Sequence, residues 1–186
     1  MADTITIPMS TRAVFTTSMP TTSMCTTVVT LDRDAVISEI EIAAPAERVF
    51  RALTDPGQLK SWFNGGDSCP VKFWQMDARP CGRYSYSTQM AKVAVNGVSE
   101  LQCHGEILEF DPPRLLVYTW FANWHLEPAK KTVVRWELTP TAFGTRVKVA
   151  HSGLAQDPAA RDDYSGGWSG VVENLKRFAE DRFSEQ

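Results

Sequence analysis

A row of strand patterns with short connections is the feature that most constrains the fold of this 186-residue chain. Alternating or β-branched residues fill each run, and Pro, Gly and Asn mark the turns between the runs. The runs span residues 72–77, 83–89, 98–110, 115–121, 132–139 and 145–152. A parallel crossover needs about a dozen residues or more, so connections this short favour antiparallel neighbours. The pattern predicts an antiparallel sheet.

One further strand and two short helices are predicted ahead of this row. Ile and Glu alternate over residues 39–42, as in a strand with one solvent-exposed face. Pro45 suits the first position of a helix, and apolar residues then recur at helical spacing until the Asp-Pro pair at 55–56. A second helical stripe covers residues 59–63. The first strand brings the predicted total to seven.

The last element is an amphipathic helix. Apolar residues from Trp168 to Phe183 recur at three- and four-residue steps, and charged residues occupy the opposite face. Gly166 and Gly167 precede this stripe. The stripe predicts a helix of about 16 residues, which is about 24 Å long at 1.5 Å per residue.

The widths of these elements do not match. Seven strands make a sheet about 34 Å wide, whereas one helix with its side chains is about 10 Å across. A sheet that curls around the helix closes most of the gap, and the two short helices seal one end. The sequence therefore predicts an α+β fold in which a curved, seven-stranded antiparallel sheet wraps around a long C-terminal helix. The space that remains holds large side chains, water or a ligand.

Strand alternation predicts which side chains face that space. Trp136 and His151 lie on apolar, inward faces, whereas His104 shares its face with charged residues and is expected to point to solvent. Aromatic side chains at these periods are either simple core or the wall of a pocket that binds a small molecule. The candidate ligand-binding residues are Trp62, Phe63, Tyr84, Tyr86, Tyr118, Trp120, Trp136, His151, Trp168, Val172 and Leu175.

Three side chains have alternative interpretations. His151 is either a core histidine that bonds a backbone carbonyl or the general acid or base of an enzyme. Trp124 and His125 fall in a predicted loop over residues 122–131. There, an exposed aromatic ring would anchor a protein partner or gate the cavity, or else Trp124 folds back on the sheet.

Composition argues against several classes of function. A pI near 5.6 and a net charge of −3, with scattered Lys and Arg, do not indicate nucleic-acid binding. No run is apolar enough to lie in hydrocarbon, so no membrane span is expected. The cysteines, Cys25, Cys69, Cys81 and Cys103, lack the spacing of a zinc site and are expected to be reduced thiols. Neither a metal nor a cofactor is predicted.

Residues 1–34 differ from the rest of the chain. They are rich in Thr and Ser, and no hydrophobic period persists among them. Threonine interrupts every apolar stretch, so a secretory signal is not expected and a cytoplasmic location is predicted. The segment is interpreted as a disordered extension, or as the result of placing the translation start too far upstream. The folded domain is predicted to span residues 36–184.

An ordered series of motifs resembles START-like (SRPBCC, helix-grip) domains. The series is most similar to homologues of the activator of heat-shock protein 90 ATPase, from Val36 to about Phe183. The motifs are IEIAAPAERVFRALTDP at 40–56, WF at 62–63, GRY at 82–84, GEILEFDPPRL at 105–115, YTW at 118–120, GTRV at 144–147, HSGL at 151–154 and GGW at 166–168. The resemblance implies a β-α-α-β6-α fold with a hydrophobic cavity between the sheet and the long helix.

Three functions are open at this point. The first is a protein that binds a small apolar or aromatic ligand under the long helix. The second is a cyclase- or hydrolase-type enzyme that uses His151 in the same cavity, although no familiar catalytic motif is present. The third is an interaction protein whose partner is a chaperone. The activator that gives the family its name has an additional amino-terminal domain, for which residues 1–34 are too short and irregular.

Overall fold

The computed structural model describes residues 24–63, 70–89, 98–125, 127 and 129–184. Three helices in these residues are α1 (Ala46–Thr54), α2 (Pro56–Trp62) and α3 (Pro158–Ser184). The strands in the same residues are β1 (Thr26–Val29), β2 (Ala35–Ile42), β3 (Val71–Met76), β4 (Arg83–Gln89), β5 (Glu100–Asp111), β6 (Leu115–Ala122), β7 (Thr132–Thr141) and β8 (Gly144–Ser152).

The strands form one antiparallel sheet in the order β1-β2-β8-β7-β6-β5-β4-β3. Each strand from β3 to β8 pairs with its neighbour in sequence, and β2 pairs with β8. Trp136 of β7 lies opposite Val149 of β8, and Val147 of β8 lies opposite Ile40 of β2. The predicted α+β fold with an antiparallel sheet and a long C-terminal helix is confirmed.

The described sheet has eight strands rather than seven. The additional strand, β1, pairs with β2, and the Thr27 hydroxyl lies 2.7 Å from the Ser38 hydroxyl. This strand falls within the segment predicted to be a disordered extension, of which residues 1–23 lie outside the described residues. Most of the β1 side chains are exposed, so the sequence carries no alternation that would have revealed an edge strand.

Alternation of burial along the central strands agrees with the sequence prediction. Side chains of β2 alternate between buried and partly buried, and β7 and β8 follow the same period over most of their length. Trp136 and His151 are almost completely buried on the inner face, as predicted. His104 is exposed, also as predicted, and its ring stacks on that of Phe121 at 5.3 Å.

Helix α3 begins ten residues earlier than predicted and is 27 residues long. Asp157 starts it, since its carboxylate accepts a hydrogen bond from the Ala160 N–H at 3.0 Å, and Pro158 occupies the first helical position. Gly166 and Gly167, which the prediction placed before the helix, lie inside it. Each glycine costs a helix about 1 kcal/mol relative to alanine. Burial of side chains in the first two turns, including Tyr164, offsets this cost.

The two short helices follow β2 as predicted. Asp55 separates them and caps α2, because its carboxylate accepts hydrogen bonds from the backbone N–H groups of Gly57 and Gln58. The Trp62 indole N–H donates to the Ala52 carbonyl at 2.9 Å, which fixes α2 against α1. Phe63, the next residue, is thereby directed into the interior, where it is 4% exposed.

Within the parts of the chain that the structure describes, no helix combines the length and apolar character needed to cross a bilayer.

Candidate functional site

A cavity of about 100 Å³ lies between strands β4 to β6 and helix α3. Its wall is mostly apolar and aromatic. The described residues that line it are Phe63, Tyr86, Leu101, Trp120, Trp124, Asp163, Tyr164, Gly167, Trp168 and Val171.

Local periodicity explains how α3 contributes to the wall. Tyr164, Gly167, Trp168 and Val171 are spaced by three and four residues, so they share one face of the helix. Gly167 is exposed, and a Cβ atom added there would meet no atom within 4 Å. A larger residue at this position of the lining would therefore have space for its side chain.

The sheet supplies the opposite wall through large inward-facing rings. Tyr86 and Trp120 pack against each other with ring centroids 5.7 Å apart, and Phe63 meets Tyr86 edge to face at 5.3 Å. Trp124 lies in the turn after β6, and its ring is perpendicular to that of Trp120. These contacts leave little freedom to the rings, which favours a preformed cavity.

A buried hydrogen-bond network joins the two walls. The Trp120 indole N–H donates to the Tyr164 hydroxyl at 2.8 Å, and that hydroxyl lies 2.6 Å from His125 Nε2. The hydroxyl has one hydrogen, and His125 Nε2 is the acceptor within reach of it, so we assign that hydrogen to Nε2, which places the imidazole proton on Nδ1. Burial lowers the pKa of His125, and the charge of Lys130 acts in the same direction, opposed by Asp157. The neutral imidazole is therefore the form that fits the network.

A second network holds His151. The Trp168 indole N–H donates to His151 Nδ1 at 3.3 Å, so the ring proton is on Nε2 and is donated to the Thr132 hydroxyl at 2.8 Å. Thr132 in turn donates to the Trp120 carbonyl at 3.0 Å. His151 is completely buried, and this burial, together with the charge of His125, lowers its pKa well below the usual value of 6.5. Both ring nitrogens are thus used, one by Trp168 of α3 and the other by Thr132 of β7.

The eleven residues predicted to bind a ligand divide into two groups. Four of them line the cavity: Phe63, Tyr86, Trp120 and Trp168. The other seven are buried outside its lining: Trp62, Tyr84, Tyr118, Trp136, His151, Val172 and Leu175. Their contact with a ligand stays a prediction.

Internal hydrogen bonds explain why several of this second group belong to the core. The Tyr84 hydroxyl donates to the Thr119 carbonyl at 2.9 Å, and the Trp136 indole N–H donates to the Tyr118 hydroxyl at 2.9 Å. Burial raises the pKa of Tyr84 well above its usual value, so the neutral phenol is retained. These rings pack behind the cavity and support its wall.

The structure decides between the two alternatives for Trp124 in the loop after β6. Trp124 is 3% exposed and His125 is 5% exposed, because the turn folds back onto α3. The alternative in which Trp124 folds back on the protein is the one observed, and its ring lines the cavity.

Sequence reasoning missed part of the lining. Tyr164 was overlooked because it precedes the predicted helix, although it stands four residues before Trp168 and therefore on the same helical face. Asp163 was also missed. It is exposed by residue surface, and desolvation of its carboxyl group raises the pKa of that group. Leu101 and Val171 carried the right periodicity but were not singled out.

The cysteines do not form a metal site in the described residues, where no group of three or more potential ligands converges. Cys103 is buried beside the Tyr84 hydroxyl, and burial raises the pKa of its thiol. Cys81 is exposed and Cys25 partly buried. Cys69 lies outside the described residues.

A second concavity is a groove of about 350 Å³. It runs between α1 and the β5–β6 turn and includes Phe50 and Phe110, whose rings meet edge to face at 5.5 Å. None of the eleven predicted residues lines it. The groove is larger but more open than the cavity, so the cavity is the stronger candidate for a small ligand.

Comparison with known families agrees with this architecture. The family model for Activator of Hsp90 ATPase homolog 1-like protein matches residues 43–180, which is well over half of the chain. The chain belongs to this family. Members of the Hsp90 ATPase activator homologue family share the START-like helix-grip fold, so the predicted family resemblance is confirmed. No curated protein matches the chain.

Solved structures give the same result for the fold. Protein CV1439 from Chromobacterium violaceum is 23% identical, with a TM-score of 0.66 over 79% of this chain and 98% of that chain. Protein MLL2253 from Mesorhizobium loti is 29% identical, with a TM-score of 0.59 over 80% and 97% of the two chains. An AHSA1-like protein from Aeromonas hydrophila is 20% identical, with a TM-score of 0.62 over 80% and 93%.

Proposed function

We propose that this member of the family is a small-molecule binding protein whose ligand occupies the cavity between the sheet and α3. The observation that carries the proposal is a cavity of about 100 Å³ walled by aromatic rings. A single water molecule needs only about 10 to 15 Å³ of such space, and an engineered apolar cavity of about 150 Å³ takes up benzene. The volume therefore suits a ligand, or a ligand group, of about six non-hydrogen atoms or fewer.

Rigidity of the wall supports the same proposal. The rings of Trp120, Tyr164 and Trp168 are fixed by hydrogen bonds to buried partners. A wall that is ordered before binding loses little conformational entropy when a ligand enters. This arrangement favours binding of a small group even with few contacts.

Catalysis by His151 is a weaker alternative. A general acid or base must reach the substrate and exchange a proton near the working pH. His151 does not line the cavity, both of its ring nitrogens are occupied, and its lowered pKa favours the neutral form. The geometry thus supports a positioning role for His151, as a support for Trp168.

A chaperone partner stays a prediction that rests on the family. The name of the family refers to activation of the Hsp90 ATPase. The exposed ring that would have anchored a partner is buried in this chain. An assay of Hsp90 ATPase turnover with and without the protein would test this alternative, and unchanged turnover would remove it.

Two helix positions provide a matched test of ligand binding. Gly167 lines the cavity and Gly166 does not, yet a Cβ atom at either would meet no atom within 4 Å. Gly167→Leu is expected to add a large side chain to the lining of the cavity, whereas Gly166→Leu adds the same side chain at the next residue, outside the lining. Both changes replace glycine by a strong helix former, so both variants are expected to fold.

The experiment is an NMR titration with benzene, followed through the indole N–H signals. Trp120, Trp124 and Trp168 line the cavity and report on occupancy. Saturable shifts are expected for the wild type and for Gly166→Leu, with loss of the response in Gly167→Leu. Absence of any response in the wild type, or an equal response in all three proteins, would contradict the proposal.

A further inference from the structure

The walls of the cavity have a distinctive chemistry. Six of the described residues that line it carry aromatic rings: Phe63, Tyr86, Trp120, Trp124, Tyr164 and Trp168. Several of these rings meet at large angles, 88° between Trp120 and Trp124 and 85° between Trp120 and Tyr164. The rings belong to β4, to β6 and the turn after it, to α3 and to the residue after α2, so a guest in the cavity contacts more than one of them.

The polar atoms of three of these side chains are already committed. Trp120 donates its N–H to Tyr164, Trp168 donates its N–H to His151, and the Tyr164 hydroxyl hydrogen is assigned to His125. These side chains consequently present ring surfaces, and not hydrogen-bond donors, to the cavity. An anion or a carbonyl group therefore gains no hydrogen bond from Trp120, Trp168 or Tyr164, because their hydrogens are used inside the protein. The faces of aromatic rings carry partial negative charge and attract cations.

The charges at the cavity also favour a cationic guest. Asp163 is the one charged side chain among the described residues of the lining, which includes no Lys, Arg or His. Asp163 is exposed and lines the cavity. A cation entering the cavity would meet one negative charge and no positive charge among these residues.

We propose that the cavity binds a methylated ammonium group of about the size of tetramethylammonium. The inference rests on the proposed function, since it names the chemical class of the ligand for the same cavity. A quaternary ammonium has no N–H group, so its entry leaves no donor unsatisfied, whereas a primary ammonium has three donors to satisfy. Tetramethylammonium has five non-hydrogen atoms, about the number that suits the volume of this cavity.

The test compares a cation with a neutral molecule of nearly the same shape. The 186-residue protein is titrated with tetramethylammonium chloride or with tert-butanol, while sodium chloride keeps the ionic strength constant, and the indole N–H signals report binding. Tetramethylammonium is expected to bind about tenfold more tightly than tert-butanol or better.

Two neighbouring carboxylates supply the matched variants. Asp163→Asn is expected to weaken tetramethylammonium binding about fivefold or more without changing tert-butanol binding. Asp162→Asn removes an exposed charge from the next position of α3, outside the lining, and is expected to leave both affinities unchanged. Gly167→Leu is expected to abolish binding of both probes.

The outcomes separate this inference from the proposed function. If tert-butanol binds as tightly as tetramethylammonium, or if the two Asn variants behave alike, the inference is overturned while a small-molecule cavity stands. If benzene binds and tetramethylammonium does not, the inference is likewise overturned and the small-molecule cavity stands. If none of the three probes shifts the indole signals, both the inference and the proposed function are overturned.

Discussion

Acidification below about pH 6.5 is expected to destabilise the protein through His151. In the unfolded chain this side chain takes up a proton with a pKa near 6.5. In the folded protein burial lowers its pKa well below that value. Protonation would place a charge in the core and would turn Nδ1 from an acceptor into a donor facing the Trp168 N–H. The unfolded state therefore binds the proton more tightly than the native state.

The sign and size of the effect follow from this difference. Above the unfolded-state pKa, His151 is neutral in both the folded and the unfolded protein, and its contribution to stability is fully present. Below it, the free energy of unfolding falls by about 1.4 kcal/mol per pH unit, until the pH reaches the folded-state pKa. His125 adds a slope of the same sign, because burial lowers its pKa as well. Domains of this kind are stabilised by about 5 to 15 kcal/mol, so such a slope is measurable.

The assay is urea unfolding at a series of pH values from about 7.5 down to about 5, where few carboxylates titrate. His151→Asn removes the titration, and the Asn carbonyl oxygen stands where Nδ1 accepts from Trp168. The wild type is expected to lose stability more steeply than this variant, by about 1.4 kcal/mol per pH unit. His104→Asn is the control, because that histidine is exposed and its variant is expected to follow the wild type.

Two results would refute this reasoning. One is an equal pH slope for the wild type and His151→Asn. The other comes from the wild type alone and is independent of how stable the variant is: an NMR titration in which the His151 ring protonates with a midpoint near 6.5. Either result would mean that the buried imidazole is not held in the neutral form.

Three further predictions concern stability and are measured by the same urea unfolding assay. Tyr164→Phe removes the partner of the Trp120 N–H and of a buried imidazole, and should cost about 2 to 4 kcal/mol; a loss below about 0.5 kcal/mol would contradict the assigned network. Gly105→Ala would place a Cβ atom 1.9 Å from the Thr119 carbonyl oxygen, and should cost about 3 kcal/mol or more; wild-type stability would disprove this close approach of β5 to β6. Gly166→Ala, inside α3 with open space around it, should instead stabilise the protein by about 0.5 to 1 kcal/mol, and a destabilised variant would argue against a continuous helix.

Local pattern determined much of the fold. Alternation reports which side chains share a face, and it correctly placed His104 outside and Trp136 and His151 inside. Short connections marked by Pro and Gly predicted the antiparallel order of β3 to β8. These signals suffice because each depends on residues close together in the sequence.

Local signals failed where distant contacts decide the structure. Strand β1 has no buried face, and it is held by its pairing with β2. The first two turns of α3 are followed directly by Gly166 and Gly167. These turns are helical because Tyr164 and its neighbours are buried against the sheet. In both cases tertiary packing overrides a weak intrinsic preference.

The candidate site shows the same division. The sequence by itself determined that a set of large rings faces the interior under the long helix. Only the tertiary structure decided that Phe63, Tyr86, Trp120 and Trp168 border a cavity while Tyr84, Trp136 and the others fill the core. A cavity is the space left after side chains from separate elements have packed, as when Trp120 meets Tyr164 from 44 residues away. Periodicity gives the direction of each side chain, but it carries no record of how well the side chains opposite fill the space.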